Sequence, residues 1–162
     1  KPLGIHHIRT TMIGNCIAKI HKKMGYHVVR LNYLGDWGTQ FGKLISAYQM
    51  WGHEIKNLSV TEINNLYVRF SDLAKQNPAM DEDARNWFKK LEDGNPEAVA
   101  LWQKLKTISL IELKRIYARL NVDFDEYSGE SVHVETMKKV ISECTTKNIA
   151  EMSEGAFVVK SK

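Results

Sequence analysis

The sequence contains few cysteines and prolines and no long apolar run. Its 162 residues include two cysteines, Cys16 and Cys144, and three prolines. Two cysteines are too few for a disulfide scaffold and do not form a Cys-x-x-Cys pair, so we expect a reducing compartment. No apolar run approaches the length that spans a bilayer. Residues 1–11 lack the apolar stretch of a signal peptide, and because residue 1 is not Met we expect it not to be the natural start.

The composition indicates a globular chain with a core of its own. Hydrophobic residues make up 43% of the sequence and charged residues 26%. The formal net charge of +4 and the pI of about 9.0 are compatible with binding a polyanion such as RNA. Many domains without a nucleic-acid role carry the same charge, so this excess alone does not decide between the two.

The first 55 residues predict part of an α/β unit. Residues 10–24 have apolar side chains at helical spacing, and Gly25 follows where a left-handed cap would end the helix. The apolar face consists of Ile13, Ile17, Ile20 and Met24. Cys16 lies beside this face, so we expect it to be a small buried side chain. Residues 28–33 predict a strand. The strand expected before the helix is absent from the sequence, so we expect strand 28–33 to need a partner outside the chain.

Beyond residue 55 the pattern becomes predominantly helical. Before this change we predict one helix with Phe41, Leu44, Ile45 and Tyr48 on one side. Between residues 59 and 120 we predict four amphipathic helices, with capping boxes at Ser59–Glu62 and Ser109–Glu112. Asn95 and Pro96 predict another helix start. The change in pattern divides the chain into a partial nucleotide-binding core, residues 1–55, and a helical insertion, residues 56–162. The polar helix faces carry cations that suit either a solvated surface or an RNA contact: Lys104, Lys106, Lys114, Arg115 and Arg119.

The last 40 residues predict shorter elements. We expect a short strand at residues 122–124, a helix with apolar residues at helical spacing, and a truncated strand at residues 155–159. The apolar positions of that helix are Met137, Val140, Ile141 and Cys144.

Three segments combine residue types that packing alone does not explain. The first, residues 1–11, places His6 and His7 before a helix, where imidazoles and free amides suit a phosphate. The second, residues 32–42, reads NYLGDWGTQFG and follows the carboxyl end of the predicted strand, where open α/β sheets bind ligands. The third, residues 127–131, reads YSGES.

In this order and at this spacing, the three segments resemble the class I arginyl-tRNA synthetases over essentially the whole chain. The resemblance implies an α/β fold, an incomplete Rossmann-type core with a predominantly α-helical insertion. It implies activation of arginine with ATP, accompanied by Mg²⁺, and transfer of arginine to tRNA. It also implies a cytoplasmic location, with a mitochondrial one as the alternative, and we expect the chain to lie closer to the eukaryotic branch than to the bacterial one.

The resemblance also assigns residues. It places His7 on the second histidine of the family's His-x-Gly-His signature loop, as the catalytic residue, with His6 and His7 contacting ATP. The chain departs from the signature, because Gly4 occupies the first histidine position and His6 replaces the glycine. A side chain at the glycine position should crowd the nucleotide.

Two further groups of residues follow from the resemblance. We expect the active-site cleft to be lined by Gly35, Asp36, Gly38 and Gln40. Tyr127, Ser128 and Glu130 are expected either at the junction of core and insertion or near the acceptor end of tRNA. No protein-bound metal is expected, because His21, His27, His53 and His133 do not have metal-ligand spacing.

Three functional readings remain open at this stage. In the first, the chain is part of an arginine–tRNA ligase that is inactive alone and needs the rest of the synthetase or another chain. The altered signature loop favours the second, a catalytically inactive synthetase-like module that binds protein or RNA. The third, an unrelated helical RNA-binding domain, depends only on the basic helix faces.

Overall fold

The computed structural model describes residues 3–153 and 156–159. The helices are α1 (Ile5–Lys23), α2 (Thr39–Trp51), α3 (Val60–Ala74), α4 (Pro78–Glu92), α5 (Pro96–Arg119) and α6 (Val134–Thr146), with 3₁₀ turns at Gly52–Glu54 and Glu130–His133. The strands are β1 (Leu31–Leu34), β2 (Glu126–Gly129), β3 (Ala150–Ser153) and β4 (Ala156–Val159). Within these ranges, no helix has the length and apolarity needed to cross a membrane.

Helices α2 to α5 pack together and contain the core. Ile45, Phe70 and Leu105 have almost no exposed surface, as expected for apolar side chains at helical spacing. Their starts follow local rules. The Ser59 hydroxyl accepts a hydrogen bond from the Glu62 amide at the start of α3, and the Asn95 side chain accepts two at the start of α5. Both of these starts were predicted.

Glycine brings α2 and α4 close together. A Cβ at Gly42 would overlap the carbonyl oxygen of Ala84 and lie 2.9 Å from the Cβ of Phe88. The third glycine of the sequence GDWGTQFG is therefore a packing residue, which explains part of this motif without any ligand.

One predicted helix boundary is wrong. Ser109 and Glu112 do not cap a new helix, because α5 runs without interruption from Pro96 to Arg119. The Ser109 hydroxyl instead donates to the Leu105 carbonyl one turn earlier, at 2.9 Å. The pattern Ser-x-x-Glu occurs at the start of α3 and in the interior of α5. The sequence alone therefore does not separate a capping serine from a helical serine that bonds to the preceding turn.

The predicted strand at residues 28–33 is observed as β1, three residues later at its start and one later at its end. It pairs in parallel with β2, from Leu31 opposite Glu126 to Leu34 opposite Gly129. The prediction that this strand has no partner within the chain is therefore wrong. The strand expected at residues 122–124 is also displaced, because β2 begins at Glu126. Long-range pairing of this kind leaves no local signal in the sequence.

Helix α1 begins five residues earlier than predicted, and its apolar face is not buried. Ile13, Ile17, Ile20 and Met24 are each at least half exposed, and Cys16 is exposed as well. The expectation of a buried Cys16 is therefore wrong. Periodicity correctly identified the apolar face, but no element among residues 3–153 and 156–159 covers it. Gly25 has φ +91°, the left-handed conformation that ends the helix as predicted.

The end of the described chain forms an antiparallel hairpin. Strand β3 pairs with β4, from Ala150 opposite Val159 to Ser153 opposite Ala156. The strand predicted at residues 155–159 corresponds to β4, and Gly155 lies outside the described residues. Helix α6 forms where predicted, with Met137, Val140 and Ile141 largely exposed. The subdomain boundary near residue 55 stays a prediction, since α2 before it packs on α3 and α4 after it.

Replacing Gly42 with alanine should destabilise the chain. The added methyl would overlap Ala84, so we expect a loss of roughly 1–3 kcal/mol in the free energy of unfolding, measured by urea denaturation. Gly14→Ala is the matched control, because Gly14 is also helical but nothing lies within 4 Å of its added Cβ. The control should be neutral or more stable by up to about 1 kcal/mol. Equal effects of the two changes would contradict the packing role of Gly42.

Candidate active site

The second and third sequence motifs meet at one edge of the β1–β2 sheet. Both strands run in the same direction, so the turn after Leu34 and the turn after Gly129 leave the sheet side by side. The carboxyl ends of parallel strands are where open α/β sheets bind ligands. The structure thus brings together two segments that are about 95 residues apart in the chain.

Asp36 joins these two turns. It is 4% exposed, and its carboxylate accepts hydrogen bonds from the Ser131 amide at 2.8 Å and the Ser131 hydroxyl at 2.6 Å. The Lys106 ammonium from α5 forms an ion pair with the same carboxylate. The Asp36 carbonyl accepts a fourth bond, from the Trp102 indole at 2.8 Å. We refer to Asp36, Lys106, Gly129 and Ser131 as the Asp36 cluster.

Gly129 belongs to this cluster because a side chain there does not fit. A Cβ on Gly129 would overlap the Asp36 carboxylate. The backbone of Gly129 is fully extended, with φ −174°, so the requirement for glycine comes from the close approach of Asp36 and not from the backbone conformation.

Opposing effects act on the ionisation of Asp36. Burial raises the pKa of this carboxyl, but the hydrogen bonds from Lys106 and Ser131 and the charge of Lys106 outweigh burial, so the net pKa lies below its usual 3.8. The carboxylate is therefore charged at neutral pH.

The other residues expected in the cleft occupy different positions around this turn. Gly35 and Gln40 are exposed and both line a pocket of about 240 Å³. Gly38 has φ +122°, which favours glycine, and precedes the first turn of α2. Trp37 packs edge-on against Phe88 and Trp102, so its role here is packing.

A larger cleft of about 910 Å³ lies between α1 and β1. His7 and Gly35 both line it, together with Thr11, Asn15 and Tyr33. The cleft therefore connects the first motif to the second, whereas Asp36 and Gln40 are not among its lining residues. The sequence analysis missed Asn15, which is 8% exposed and whose side-chain oxygen has no hydrogen-bond partner among the described residues. Its spacing of eight residues from His7, two helical turns, is the signal that was available.

His7 is held by the start of its own helix. The Gly4 amide donates a hydrogen bond to Nδ1 of His7 at 3.0 Å. Because Nδ1 accepts, a neutral His7 ring carries its proton on Nε2, and this nitrogen is left as a donor. His6 is exposed, and its ring lies 3.9 Å from that of His7, tilted by 42°.

Tyr127, Ser128 and Glu130 are not brought to His7. Tyr127 lies between the Phe124 ring at 5.8 Å and the Lys114 ammonium at 4.6 Å, and burial raises the pKa of its phenol. Ser128 is paired with Tyr33 in the sheet, and Glu130 is exposed at the start of the 3₁₀ turn. None of the three is among the described residues that line the 910 Å³ cleft.

The opposite end of the sheet holds a charge cluster that the sequence analysis did not identify. Arg30 donates to both carboxylate oxygens of Asp125, at 3.0 and 2.8 Å, and pairs with Asp123. The Arg30 guanidinium lowers the pKa of Asp125 by hydrogen bonding, and its own pKa is raised. The alternating acids at 123 and 125 were the available signal.

Most of the cations considered for RNA contact have partners within the chain. Lys104 donates to the Tyr48 hydroxyl at 2.8 Å, Lys106 pairs with Asp36, and Arg115 pairs with Glu112 one helical turn earlier. With Lys114 over the Tyr127 ring, four of the five cations have intramolecular contacts. This favours a structural role for the basic face of α5. Among the described residues, no group of three or more histidine, cysteine or acidic side chains is arranged to hold a metal.

Comparison with known proteins assigns the family. The family model described as tRNA synthetases class I (R), catalytic domain, matches residues 1–162. The chain belongs to this family. Its fold is that of a class I synthetase catalytic domain, mostly helical with few strands, as the sequence predicted.

Relatives of this synthetase chain are named as arginine–tRNA ligases. The protein from Lactobacillus acidophilus is 49% identical over 98% of this chain, and that from Clostridium perfringens is 47% identical over the same share. The chain spans 29% and 28% of their lengths. The crystal structure of arginyl-tRNA synthetase from Plasmodium falciparum matches all of this chain and 27% of that one, with a TM-score of 0.73 and 25% identity.

These identities correct one expectation about the synthetase. The two relatives near 48% identity are bacterial, whereas the Plasmodium structure is 25% identical. The expected closeness to the eukaryotic branch is therefore wrong.

The two departures from the synthetase signature loop are in contact. A Cβ at Gly4 would lie 2.7 Å from Cε1 of the His6 ring, so any side chain at residue 4 requires that ring to turn away. Because His6 is exposed, its ring can turn away, so this contact does not by itself require glycine at position 4.

The lowered pKa of Asp36 predicts a dependence of stability on pH. A carboxyl with a lowered folded-state pKa stabilises the fold above its unfolded value, near 3.8, and this stabilisation is lost as pH falls through the folded pKa. Asp36→Asn should therefore reduce the slope of unfolding free energy against pH below about pH 4, measured by urea denaturation. Asp125→Asn is the comparison and should also reduce the slope, because the pKa of Asp125, at the other end of the sheet, is lowered as well. An unchanged slope in Asp36→Asn would contradict this assignment.

Proposed function

We propose that this chain forms part of the adenylating site of an arginine–tRNA ligase, which activates arginine with ATP and transfers it to tRNA. The observation that carries the proposal is the meeting of the glycine-rich turn and the YSGES segment at the carboxyl edge of the sheet, beside a cleft that His7 also lines. The identity of 45–49% to relatives named as arginine–tRNA ligases supports the same reaction.

His7 is proposed to contact the phosphates of ATP. It lies in the first turn of α1, where free backbone amides provide positive potential, and its Nε2 is a donor because Nδ1 accepts from Gly4. Such a donor stabilises the charge that develops on the α-phosphate during adenylation. ATP enters with Mg²⁺ as its counterion, with no metal bound by the chain itself. Gly35 lines the same cleft, so backbone at this turn approaches the substrate without a side chain between them.

The remaining site residues are proposed with smaller roles. Gly38 and Gln40 shape the turn, and His6 lies beside His7 at the phosphate end. Tyr127, Ser128 and Glu130 are proposed at the junction between the core, residues 1–55, and the insertion, residues 56–162, because Tyr127 packs against the α5 side chain Lys114. We further propose a cytoplasmic location.

The site requires more protein than the described residues provide. Strand β1 is paired on one edge only, and α1 exposes an apolar face of four residues. Parallel sheets are normally covered on both faces, and an unpaired edge is a liability. We propose that the remaining length seen in the relatives completes the sheet and covers α1, and that the chain alone is inactive.

The alternative is an inactive synthetase-like module. The altered signature loop favours it, because His6 stands where the family has glycine. The comparisons do not favour it, since the relatives at 45–49% identity are named as ligases.

The first test compares the isolated chain with the complete polypeptide. Arginine-dependent exchange of pyrophosphate into ATP should be undetectable for the 162-residue chain and present for the complete protein. Turnover by the chain alone would overturn the need for further protein. Absence of exchange in a folded complete protein, together with absence of aminoacylation, would favour the module.

The second test restores the family's signature loop. In the complete protein, Gly4→His combined with His6→Gly should raise the rate of pyrophosphate exchange, because the phosphate regains a donor and free access to the backbone. His7→Ala should lower the rate roughly 100-fold or more, the usual effect of losing one such donor. Lys75→Gln, a surface change at the end of α3 in the helical bundle, is the control and should leave the rate unchanged. A His7→Ala protein with the original rate would remove His7 from the mechanism.

A further inference from the structure

The Asp36 carboxylate is held on all sides by contacts within the chain, although Asp36 and Lys106 also line a pocket of about 440 Å³. Both carboxylate oxygens of Asp36 are already bonded, one by the Ser131 amide at 2.8 Å and the other by the Ser131 hydroxyl at 2.6 Å and by Lys106. A carboxylate that is 4% exposed and fully bonded does not contact substrate directly. Its contribution must come through the groups that it holds.

Three separate elements depend on this one side chain. Asp36 belongs to the turn between β1 and α2, Ser131 to the turn after β2, and Lys106 to the middle of α5. Lys106 also donates to the Ser131 hydroxyl at 3.2 Å, so each of the three side chains contacts the other two. The main chain of the turn is held independently by the Trp102 indole, also on α5.

The close approach of the Asp36 carboxylate to β2 requires glycine at position 129. Gly129 pairs with Leu34 at the last position of the β1–β2 pairing, and any Cβ there would displace the Asp36 carboxylate. A turn that served only to connect β1 to α2 would not require glycine on a different strand.

We propose that Asp36 is a positioning residue for arginine activation, which fixes the carboxyl ends of β1 and β2 relative to each other and to α5. It acts through Ser131 and Lys106, and it sets the placement of the Gly35 backbone next to the 910 Å³ cleft. This inference depends on the function proposed above. Because the rate of a reaction between two bound substrates is sensitive to displacements near 1 Å, a loosened turn should lower catalysis more than it lowers stability.

The kinetic test uses pyrophosphate exchange in the complete protein at a temperature where every variant is folded. Asp36→Ala should lower kcat/KM by about 100-fold, mainly through kcat. Ser131→Ala should have a smaller effect, because the backbone bond to Asp36 remains. In the double variant the two losses should not add, since both remove the same contact. Lys106→Arg should retain more activity than Lys106→Met because it keeps the charge that faces Asp36.

The matched control is Asp83→Asn. Asp83 accepts a hydrogen bond from the buried Ser46 hydroxyl between α4 and α2, within the helical bundle and away from the sheet edge. It shows how far a loss of stability alone lowers the rate. If Asp36→Ala loses no more activity than an Asp83 variant with the same fall in Tm, the cluster is only structural and the proposal is overturned.

Hydrogen exchange separates this proposal from the proposed function. The Ser131 amide bonds directly to Asp36, so Asp36→Ala should accelerate exchange at residues 129–131 and at residues 35–37 together. Unchanged exchange in both segments overturns the coupling whatever the activity. If the unmodified complete protein shows neither pyrophosphate exchange nor aminoacylation in the presence of its tRNA, the proposed function fails and the catalytic role of Asp36 fails with it. Should Asp36→Ala not fold, Ser131→Ala supplies the kinetic measurement, and Asp36→Asn, which removes the charge that faces Lys106, supplies the exchange measurement.

Discussion

The parallel pairing of β1 with β2 is the interaction on which the rest of this structure depends. It joins Leu31 to Glu126 and Leu34 to Gly129, four residues on each side. Side-chain contacts reinforce the pairing at both ends, with Arg30 bonded to Asp123 and Asp125 at the start and Asp36 bonded to Ser131 at the carboxyl end. Because two short strands alone are marginal, these charged contacts and the helices behind them determine that the sheet forms in this register.

The helical bundle is the connection between the two strands. Parallel strands need a crossover, normally a single helix, and here the chain passes through α2, α3, α4 and α5 before it returns as β2. The bundle has its own core around Ile45, Phe70 and Leu105, separate from the sheet. Helix α5 therefore serves two purposes. Its apolar side closes the bundle, and its Lys106 and Trp102 hold the turn at the carboxyl edge of the sheet.

Many charged side chains have partners within the chain, which the net charge of +4 does not reveal. Three of the five cations considered for RNA contact, Lys104, Lys106 and Arg115, have polar partners in the structure, so a large part of that positive surface is occupied. The buried ion pair of Asp36 with Lys106 specifies geometry, since burial of a charge is costly unless it is paired and hydrogen-bonded. One of the cations considered for RNA contact, Lys106, thus helps to hold the turn at the candidate site.

The sequence by itself determined the local elements and the family. Helical periodicity, the Ser59 and Asn95 caps and Gly25 located the helices, because these signals act within one or two turns. The motif GDWGTQFG indicated the edge of the sheet at which a ligand would bind. It did not show which of its residues face a ligand, since Gly42 is a packing residue and Asp36 is buried. Only the tertiary structure decided that Asp36 meets Ser131 and Lys106, that β1 pairs with β2, and that Cys16 is exposed. Contacts between residues 70 to 95 positions apart depend on how the helices between them pack, and no local pattern records that.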